Sequence, residues 1–313
     1  MSDTVAAVVV TYNRKELLIE CLEALRNQTH KPDAIFIIDN NSNDTTPELL
    51  LEKNYMSKLP EKDVNENQLI QNHIFSLNTP NEKIEINYVR KFENDGGAGG
   101  FYEGMKRAYE AGYDWLWLMD DDGIPDKNCL RNLFKYAKQE TIDYIAPNLL
   151  DNKRVSHFTK FFDHTNNNIL NYYGGPFNGI LISRYLVKKV GLPIKKFFIW
   201  GDEIEYRNRI VEKGFITITV KDAIHFHKRT GFKYRNVPRV YYFTRNLIFC
   251  ARLFKGIYRS KTIHSLGVCY IIFKILVSGV VNLNFIQVKN CLNGIYYGLK
   301  MDVKEMQFEA INF

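Results

Sequence analysis

The run Trp115-Leu116-Trp117-Leu118-Met119-Asp120-Asp121-Asp122-Gly123-Ile124-Pro125 constrains this chain most. Five apolar residues lead straight into three carboxylates, and a glycine and a proline follow. An apolar run of that length, bounded by Gly and Pro, predicts a buried strand. The carboxylates then stand at its C-terminal tip, where open α/β sheets bind ligands. Adjacent negative charges repel unless a cation neutralises them. Hard oxygen ligands suit Mg2+ or Mn2+, ions that bridge to phosphate oxygens. Alone, the triplet reads equally well as a solvated acidic turn, so its surroundings decide.

Those surroundings alternate strand and helix patterns. Val5–Val10 is a β-branched run, and Arg14–Asn27 carries Leu17, Leu18, Cys21, Leu22 and Leu25 at helical spacing. Ala34–Ile38 and Ile84–Val89 predict further strands, Gly96 opens a helix to about Ala111, Lys127–Lys138 reads as helix and Ile142–Ala146 as strand. This βαβ order predicts an α/β fold with a mostly parallel central sheet flanked by helices. Asn54–Glu82 is polar and without clear period, which reads as a surface excursion. Later, Gly179–Ser183 and Phe215–Val220 read as strands and Ile204–Lys213 as a helix. Beyond residue 240 the pattern is helical, and Leu266–Val281, with Lys274 and Ser278 inside it, is too short and polar for a spanning helix. It reads as a packed or membrane-surface helix.

Charge and cysteine usage narrow the setting. Five scattered cysteines without CxxC spacing fit a reducing cytosol, and the N-terminus enters a strand too soon for a signal peptide. The net charge of +7 is uneven: eleven Lys/Arg against Asp222 alone lie between Lys221 and Lys261, interleaved with aromatics. Such a stretch suits anionic lipid, nucleic acid, or a merely solvated face. Nucleic acid accounts for the bases but not for a carboxylate cluster that repels phosphate unless metallated.

Two more polar motifs fall at strand ends facing the same crevice. Thr11-Tyr12-Asn13-Arg14 follows the first strand and Asp39-Asn40-Asn41-Ser42 the second. Asp39 could accept a hydrogen bond from a nucleobase ring N–H, while Thr11 and Asn13 could instead cap the next helix and Asn40 simply turn the chain. Asn94-Asp95-Gly96-Gly97-Ala98-Gly99-Gly100 precedes a helix, so its glycines either let backbone approach a phosphate or permit a tight helix–sheet contact. Asp202, in Trp200-Gly201-Asp202-Glu203, stands at a helix start and could be a base or a cap. Trp200 and Phe198 offer aromatic faces to a sugar or to the core.

As an ordered set, Val8–Arg14, Ile38–Ser42, Gly96–Phe101, Trp117–Asp122 and Phe198–Glu203 resemble the inverting family-two glycosyltransferases of the GT-A fold. The closest resemblance is to the bacterial branch of galactofuranosyl- and rhamnosyltransferases, over about residues 4–250. The resemblance implies nucleotide-binding roles for Thr11, Asn13, Arg14, Asp39, Asn40, Arg90, Gly97, Asp120 and Asp121. It implies a metal site of Asp120, Asp122 and His227, with His225 as the rival two residues away. Asp202 resembles the catalytic base, and Trp200 and Glu203 would meet the acceptor.

The expectation is therefore a GT-A domain over residues 1–240, with a nucleotide-binding half to about 125 and an acceptor half beyond it. A helical, basic extension over 241–313 follows. The implied activity is metal-dependent transfer, with Mn2+ or Mg2+, of a sugar from a nucleotide-sugar donor. UDP-linked galactofuranose is favoured, with dTDP-rhamnose as the alternative. The acceptor is a glycan or lipid-linked glycan of a bacterial surface polysaccharide. The expected setting is cytoplasmic and peripheral, on the anionic inner face of the cell membrane, with no nucleic-acid partner. A non-catalytic nucleotide-sugar or nucleic-acid binding protein is the rival from another class.

Overall fold

The computed structural model of the chain describes residues 3–62, 64–79, 81–137, 142–151, 155–156, 168–170, 176–227, 237–253, 261–302 and 305–306. The first half runs β1 (Val5–Thr11), α1 (Lys15–Arg26), β2 (Ala34–Asp39), α2 (Thr46–Glu52), β3 (Gln68–Phe75), β4 (Lys83–Arg90), α3 (Gly96–Glu110) and β5 (Trp115–Asp120). There follow β6 (Gly123–Pro125), α4 (Cys129–Ala137), β7 (Ile142–Leu150), β8 (Ile169–Leu170), β9 (Ile180–Ser183), α5 (Arg184–Val190), α6 (Asp202–Glu212) and β10 (Ile216–His227). Later among the described residues come α7 (Val237–Leu253), α8 (Lys261–Val281) and α9 (Phe285–Lys300).

The ten strands among the described residues join one sheet in the order β3-β4-β2-β1-β5-β9-β7-β10-β6, with β8 beside β10. The expected parallel pairing holds across β4-β2-β1-β5 and between β7 and β10. Elsewhere the pairing is antiparallel: β3 on β4, β9 between β5 and β7, and β6 and β8 on β10. The sheet is thus mixed rather than mostly parallel. An apolar run such as Ile180–Ser183 looks the same buried in either direction, so its polarity leaves no trace in the residues.

Alternate residues of β1 feed two cores. Val5, Ala7 and Val9 pack with Leu18, Leu22 and Leu25 of α1, while Ala6, Val8 and Val10 pack with Phe101 and Met105 of α3. Each such buried aliphatic side chain is worth about 1.5–3 kcal/mol of transfer from water. Glycines let α3 lie close: a Cβ at Gly100 would stand 2.4 Å from Val10 Cγ1, and one at Gly104 2.3 Å from Val8 Cγ1. The tight-contact reading of that motif is therefore realised.

The excursion over Asn54–Glu82 contains a strand the expectation lacked. β3 buries Ile70 and Ile74 and turns Leu69 and Phe75 to solvent. Apolar residues on both faces blur the two-residue period that marks a half-buried strand. The Asn166–Gly175 part of the expected loop region lies almost wholly outside the described residues, as do Lys228, Arg229, Lys233, Arg235, Lys255 and Arg259 of the basic stretch. Among the described residues no helix is long and apolar enough to cross a membrane.

Candidate active site

The tips of β1, β2, β4 and β5 meet at one edge of the sheet. Asp39, fully buried, accepts from Ser42 N at 2.7 Å, from Tyr88 Oη at 2.6 Å and from Arg90 at 3.0 Å. Arg90 also donates to Ser42 O at 2.6 Å and to Asn41 Oδ1 at 2.7 Å, so one guanidinium fixes the whole Asp39–Ser42 turn. Burial, and then the adjoining Asp39, push the Tyr88 hydroxyl well above its usual range, which keeps it a donor. Asn13 takes a positive φ of 53° and stitches the neighbouring loop on: its N–H donates to Ser42 Oγ at 2.9 Å, and its Oδ1 accepts from Asn43 N at 2.7 Å. Neither Thr11 nor Asn13 caps α1; Arg14 holds the cap position without a side-chain bond. Asn40 donates to Gly96 O at 3.1 Å, and its buried Oδ1 has no hydrogen-bond partner. Beside Arg90 opens a cavity of about 500 Å3, walled by Ser42, Thr45, Leu59, Gln68 and Phe92. The polar excursion thus forms one wall of this cavity.

The acidic triplet divides into three environments. Asp121 is buried, accepts from Thr11 Oγ1 at 2.8 Å and pairs with Arg14 at 3.1 Å. Burial raises its carboxyl to about 6, against the lowering effects of Arg14 and Thr11. Asp120 and Asp122 face the crevice instead. Burial, reinforced by Asp122 and Asp121, pushes Asp120 well above the carboxylate range. For Asp122 burial acts upward too, but the facing His227 ring and Arg14, 3.2 Å away, together hold it below. Ligand atoms of Asp120, Asp122 and His227 all lie within 4.8 Å of one another. Asp122 Oδ1 is buried, makes no hydrogen bond and sits 3.4 Å from His227 Nε2. Two carboxylates and an imidazole converging on an unsatisfied oxygen fit a divalent cation.

His225 points elsewhere. It is fully buried, its Nε2 lies 2.9 Å from Asn178 Oδ1, and burial depresses its pKa to about 3. A Cβ on Gly123 would meet its ring at 2.5 Å and one on Gly179 at 2.6 Å, so both glycines make room for it.

Asp202 begins α6 behind a strained loop. Phe198 and Trp200 have positive φ of 66° and 62°, and Gly201 has 92°. Left-handed backbone costs a bulky residue on the order of 1–3 kcal/mol, so the surroundings must impose it. They do so from two sides. Phe198 O accepts from Ala98 N at 3.1 Å, and a Cβ on Gly96 (φ 77°) would stand 2.0 Å from that same oxygen. From the other side buried Asn246 of α7 donates Nδ2 to Phe197 O and Ile199 O, both at 3.0 Å, and to Trp200 O at 2.6 Å. Arg245 Nε donates to Asn246 Oδ1 at 2.9 Å, which orients the amide. Trp200 meets Phe243 edge-on at 5.9 Å, with the Arg239 guanidinium 5.5 Å from its ring. Below, Arg209 pairs with Glu205 at 2.6 Å and donates to Val190 O and Leu192 O, fixing α6.

Asp202 is buried, and burial first, then Glu203 and then Asp120, push its carboxyl well above the usual range. Asp120 and Asp202 thus share one electrostatic site. Gly97 has no atom within 4 Å of where a Cβ would be, unlike Gly96, Gly99 and Gly100, so it alone of these four leaves open space at the start of α3. Sequence reasoning missed Tyr88 and Asn246. The available signal for the latter was an Arg-Asn pair inside the apolar run of α7, since a buried amide needs partners.

Comparison with known proteins places this geometry in a class. The family model for glycosyl transferase family 2 matches residues 6–60 and 71–213, and the chain belongs to that family. Its fold is that of the GT-A glycosyltransferases. Among curated relatives, galactofuranosyltransferase GlfT1 of Mycolicibacterium smegmatis is 29% identical over 244 residues, covering 72% of this chain and 71% of that one. GlfT1 of Mycobacterium tuberculosis is 28% identical over 242 residues with the same coverage. Among solved structures, S. aureus TarS in complex with UDP-GlcNAc aligns with a TM-score of 0.57 at 14% identity, over 83% of this chain and 69% of that one. Against the longer TarS structure the chain spans only 41% of the protein. The mannosyltransferase PcManGT of Pyrobaculum calidifontis, solved with GDP-Man and Mn2+, aligns with a TM-score of 0.57 at 14% identity, over 96% of this chain and 88% of that one. The chain is a glycosyltransferase.

Proposed function

We propose that this glycosyltransferase moves galactofuranose from a UDP-linked donor to a glycan or lipid-linked glycan acceptor, with inversion at the anomeric carbon. The observation that carries the reading is the convergence of Asp120, Asp122 and His227 at the β5 tip, coupled electrostatically to buried Asp202. The choice of sugar is supported by the kinship to galactofuranosyltransferases. Thr11, Asn13, Asp39, Asn40, Arg90 and Gly97 line the nucleotide side, Arg14 and Asp121 anchor its floor, and Trp200 and Glu203 border the acceptor side.

The chemistry follows from the residues. A carboxylate whose pKa is raised takes a proton more readily, and Asp202 accepts the hydrogen of the acceptor hydroxyl as its oxygen attacks the anomeric carbon. The bond to the diphosphate breaks on the opposite face, and inversion follows from that single displacement. A divalent ion, Mn2+ or Mg2+, held by Asp120, Asp122 and His227 would neutralise the charge that grows on the departing diphosphate. Residues 1–240 are read as the catalytic unit and 241–313 as a brace and a membrane-facing extension at the cytoplasmic surface. Support for the latter is the basic, aromatic composition between Lys221 and Lys261.

A competition assay tests the donor. UDP-galactofuranose is expected to be consumed and dTDP-rhamnose ignored, with the product's anomeric configuration opposite to the donor's by NMR. Preference for dTDP-rhamnose would replace the sugar, and retention would remove Asp202 as the base. Cosedimentation with anionic vesicles at low salt tests the membrane reading; protein that stays in the supernatant contradicts it.

A further inference from the structure

The hairpin of α8 and α9 carries apolar side chains where a folded protein ordinarily places charge. Val281 is 74%, Leu283 75%, Phe285 70% and Ile286 65% exposed, and all four cluster at the turn between the two helices. Leu266, Tyr270, Phe273 and Val277 continue the face along α8, and Leu292, Tyr296 and Leu299 along α9. Between Leu266 and Val281 only Lys274 is charged, while buried Val268, Ile275 and Gly279 face inward. A helix apolar on nearly every side calls for an apolar environment on every side. A patch of this kind on a soluble protein marks a partner surface.

The composition identifies the partner. Residues 223–301 contain thirteen Lys/Arg and no Asp or Glu. On the hairpin, the Lys274 ammonium lies 4.7 Å from the Tyr270 ring centroid and that of Lys300 4.4 Å from Tyr296, so cations and tyrosines stand together beside the apolar face. Lys274, Lys289 and Lys300, with Tyr270 and Tyr296, flank the apolar tip on both helices, as cations and tyrosines do where an apolar insertion meets anionic headgroups. A second copy fits poorly, because an isologous pairing would set lysines against lysines with no carboxylate to answer them.

The turn is also prepared for a dry surrounding. Asn282 N donates to Ser278 O at 3.1 Å, Leu283 N to Val280 O at 3.0 Å, and Asn284 N to Gly279 O at 2.7 Å. Asn284 Oδ1 accepts from Gln287 N at 3.0 Å. The four amides so paired, those of Asn282, Leu283, Asn284 and Gln287, escape part of the cost of leaving water.

Resting on the membrane reading above, we infer that the α8–α9 turn, Val281–Ile286, inserts into the headgroup boundary of an anionic bilayer. The hairpin is stiffly joined to the acceptor loop. A Cβ on Gly294 would stand 2.8 Å from Tyr241 O and one on Gly298 2.7 Å from Arg245 O, so α9 lies hard against the helix whose Asn246 holds Trp200. Insertion therefore sets the acceptor side of the site at a fixed height over the lipid, which suits an acceptor borne by the membrane.

Flotation of the full chain with phosphatidylglycerol–phosphatidylcholine vesicles tests this. The wild type is expected to float at low salt and to retain a fraction at high salt, because apolar contact is not screened. The double substitution Phe285→Asp with Ile286→Asp is expected to lower vesicle partition about tenfold or more, with the thermal melt and transfer to a soluble acceptor unchanged. Leu283→Trp is expected to add fluorescence that brominated acyl chains quench beyond the wild-type background. If the double variant floats like the wild type, the tip is not the contact, though the membrane reading stands. If the wild type does not float, both fall. A wild-type dimer that becomes monomeric in the double variant, with neither floating, would give the face to a second copy and overturn the proposal.

Discussion

Asn246 Nδ2 donates to the carbonyl of Trp200 at 2.6 Å, two residues before Asp202, while α7 that bears it lies far along the chain. This contact ties the helical extension to the loop that leads into Asp202. Asn246→Leu takes this donor from Ile199 O and Trp200 O, while Phe197 O keeps Arg245 and Ile199 N, at about 1–3 kcal/mol for a buried polar group, and frees the strained Phe198–Gly201 backbone to relax. Transfer kcat/KM is expected to fall by about ten- to a hundredfold, the order expected for a misplaced catalytic group. UDP affinity, measured by calorimetry, should stay within about twofold, because Asn246 donates to the Phe197–Trp200 loop and not to the β1 and β2 tips.

Asp202→Asn keeps the side chain's shape and removes the base. Transfer is expected to drop by about 10²–10⁴ with UDP binding retained. Near-normal transfer by this variant would assign Asp202 to capping α6.

The pH profile follows from the sign of the Asp202 shift. In the proposed mechanism its ionised form is the base, and burial and then Glu203 both push its pKa well above the usual carboxylate value. The acidic limb of kcat/KM should therefore sit above the ordinary carboxylate range, with activity lost as pH falls through it. Glu203→Gln removes a like charge, favours the ionised base and should move that limb to lower pH. A limb that moves upward, or stays in place, contradicts the coupling.

The two late histidines separate by variant. His227→Ala should raise the metal concentration for half-activity about tenfold or more, since losing even an indirect ligand contact costs that much, with little change in melting. His225→Ala should leave the metal requirement alone and cost about 2–4 kcal/mol of stability, because it empties a buried site and strands Asn178. Chemical denaturation and a metal titration read the two effects independently.

The glycine motif divides in the same way. Gly100→Ala drives a Cβ into Val10 and should destabilise the fold by about 1–3 kcal/mol. Gly97→Ala meets open space, so melting should hold while the donor KM rises.

The strand tips were legible because apolar runs ending in polar, glycine-rich residues carry position as well as type. Thr11, Asp39, Asp120 and Asp122 fall at one sheet edge for that reason. What the residues did not disclose was relational. The direction of β9 leaves no periodic mark, and β3 hides behind Leu69 and Phe75 on its open face. His225 and His227 share a strand, a chemistry and, two residues apart, a face of the pleat; they part only by what lies over each, Gly123, Gly179 and Asn178 over His225 and Asp122 over His227. Asn246 belongs to no motif: its role exists only once Phe197, Ile199 and Trp200 present their carbonyls to it.

Release of nucleoside diphosphate from UDP-galactofuranose, with Mn2+ or Mg2+ and then with chelator, tests the catalytic reading most directly. UDP-galactose, UDP-glucose and dTDP-rhamnose run alongside as controls. The expected result is release of UDP from the furanose donor alone, abolished by chelator and by Asp122→Ala, and restored to the wild type by added metal. Release that survives chelation would contradict the Asp120–Asp122–His227 centre, and silence across all donors, with no nucleotide bound, would contradict the proposed donor and mechanism together.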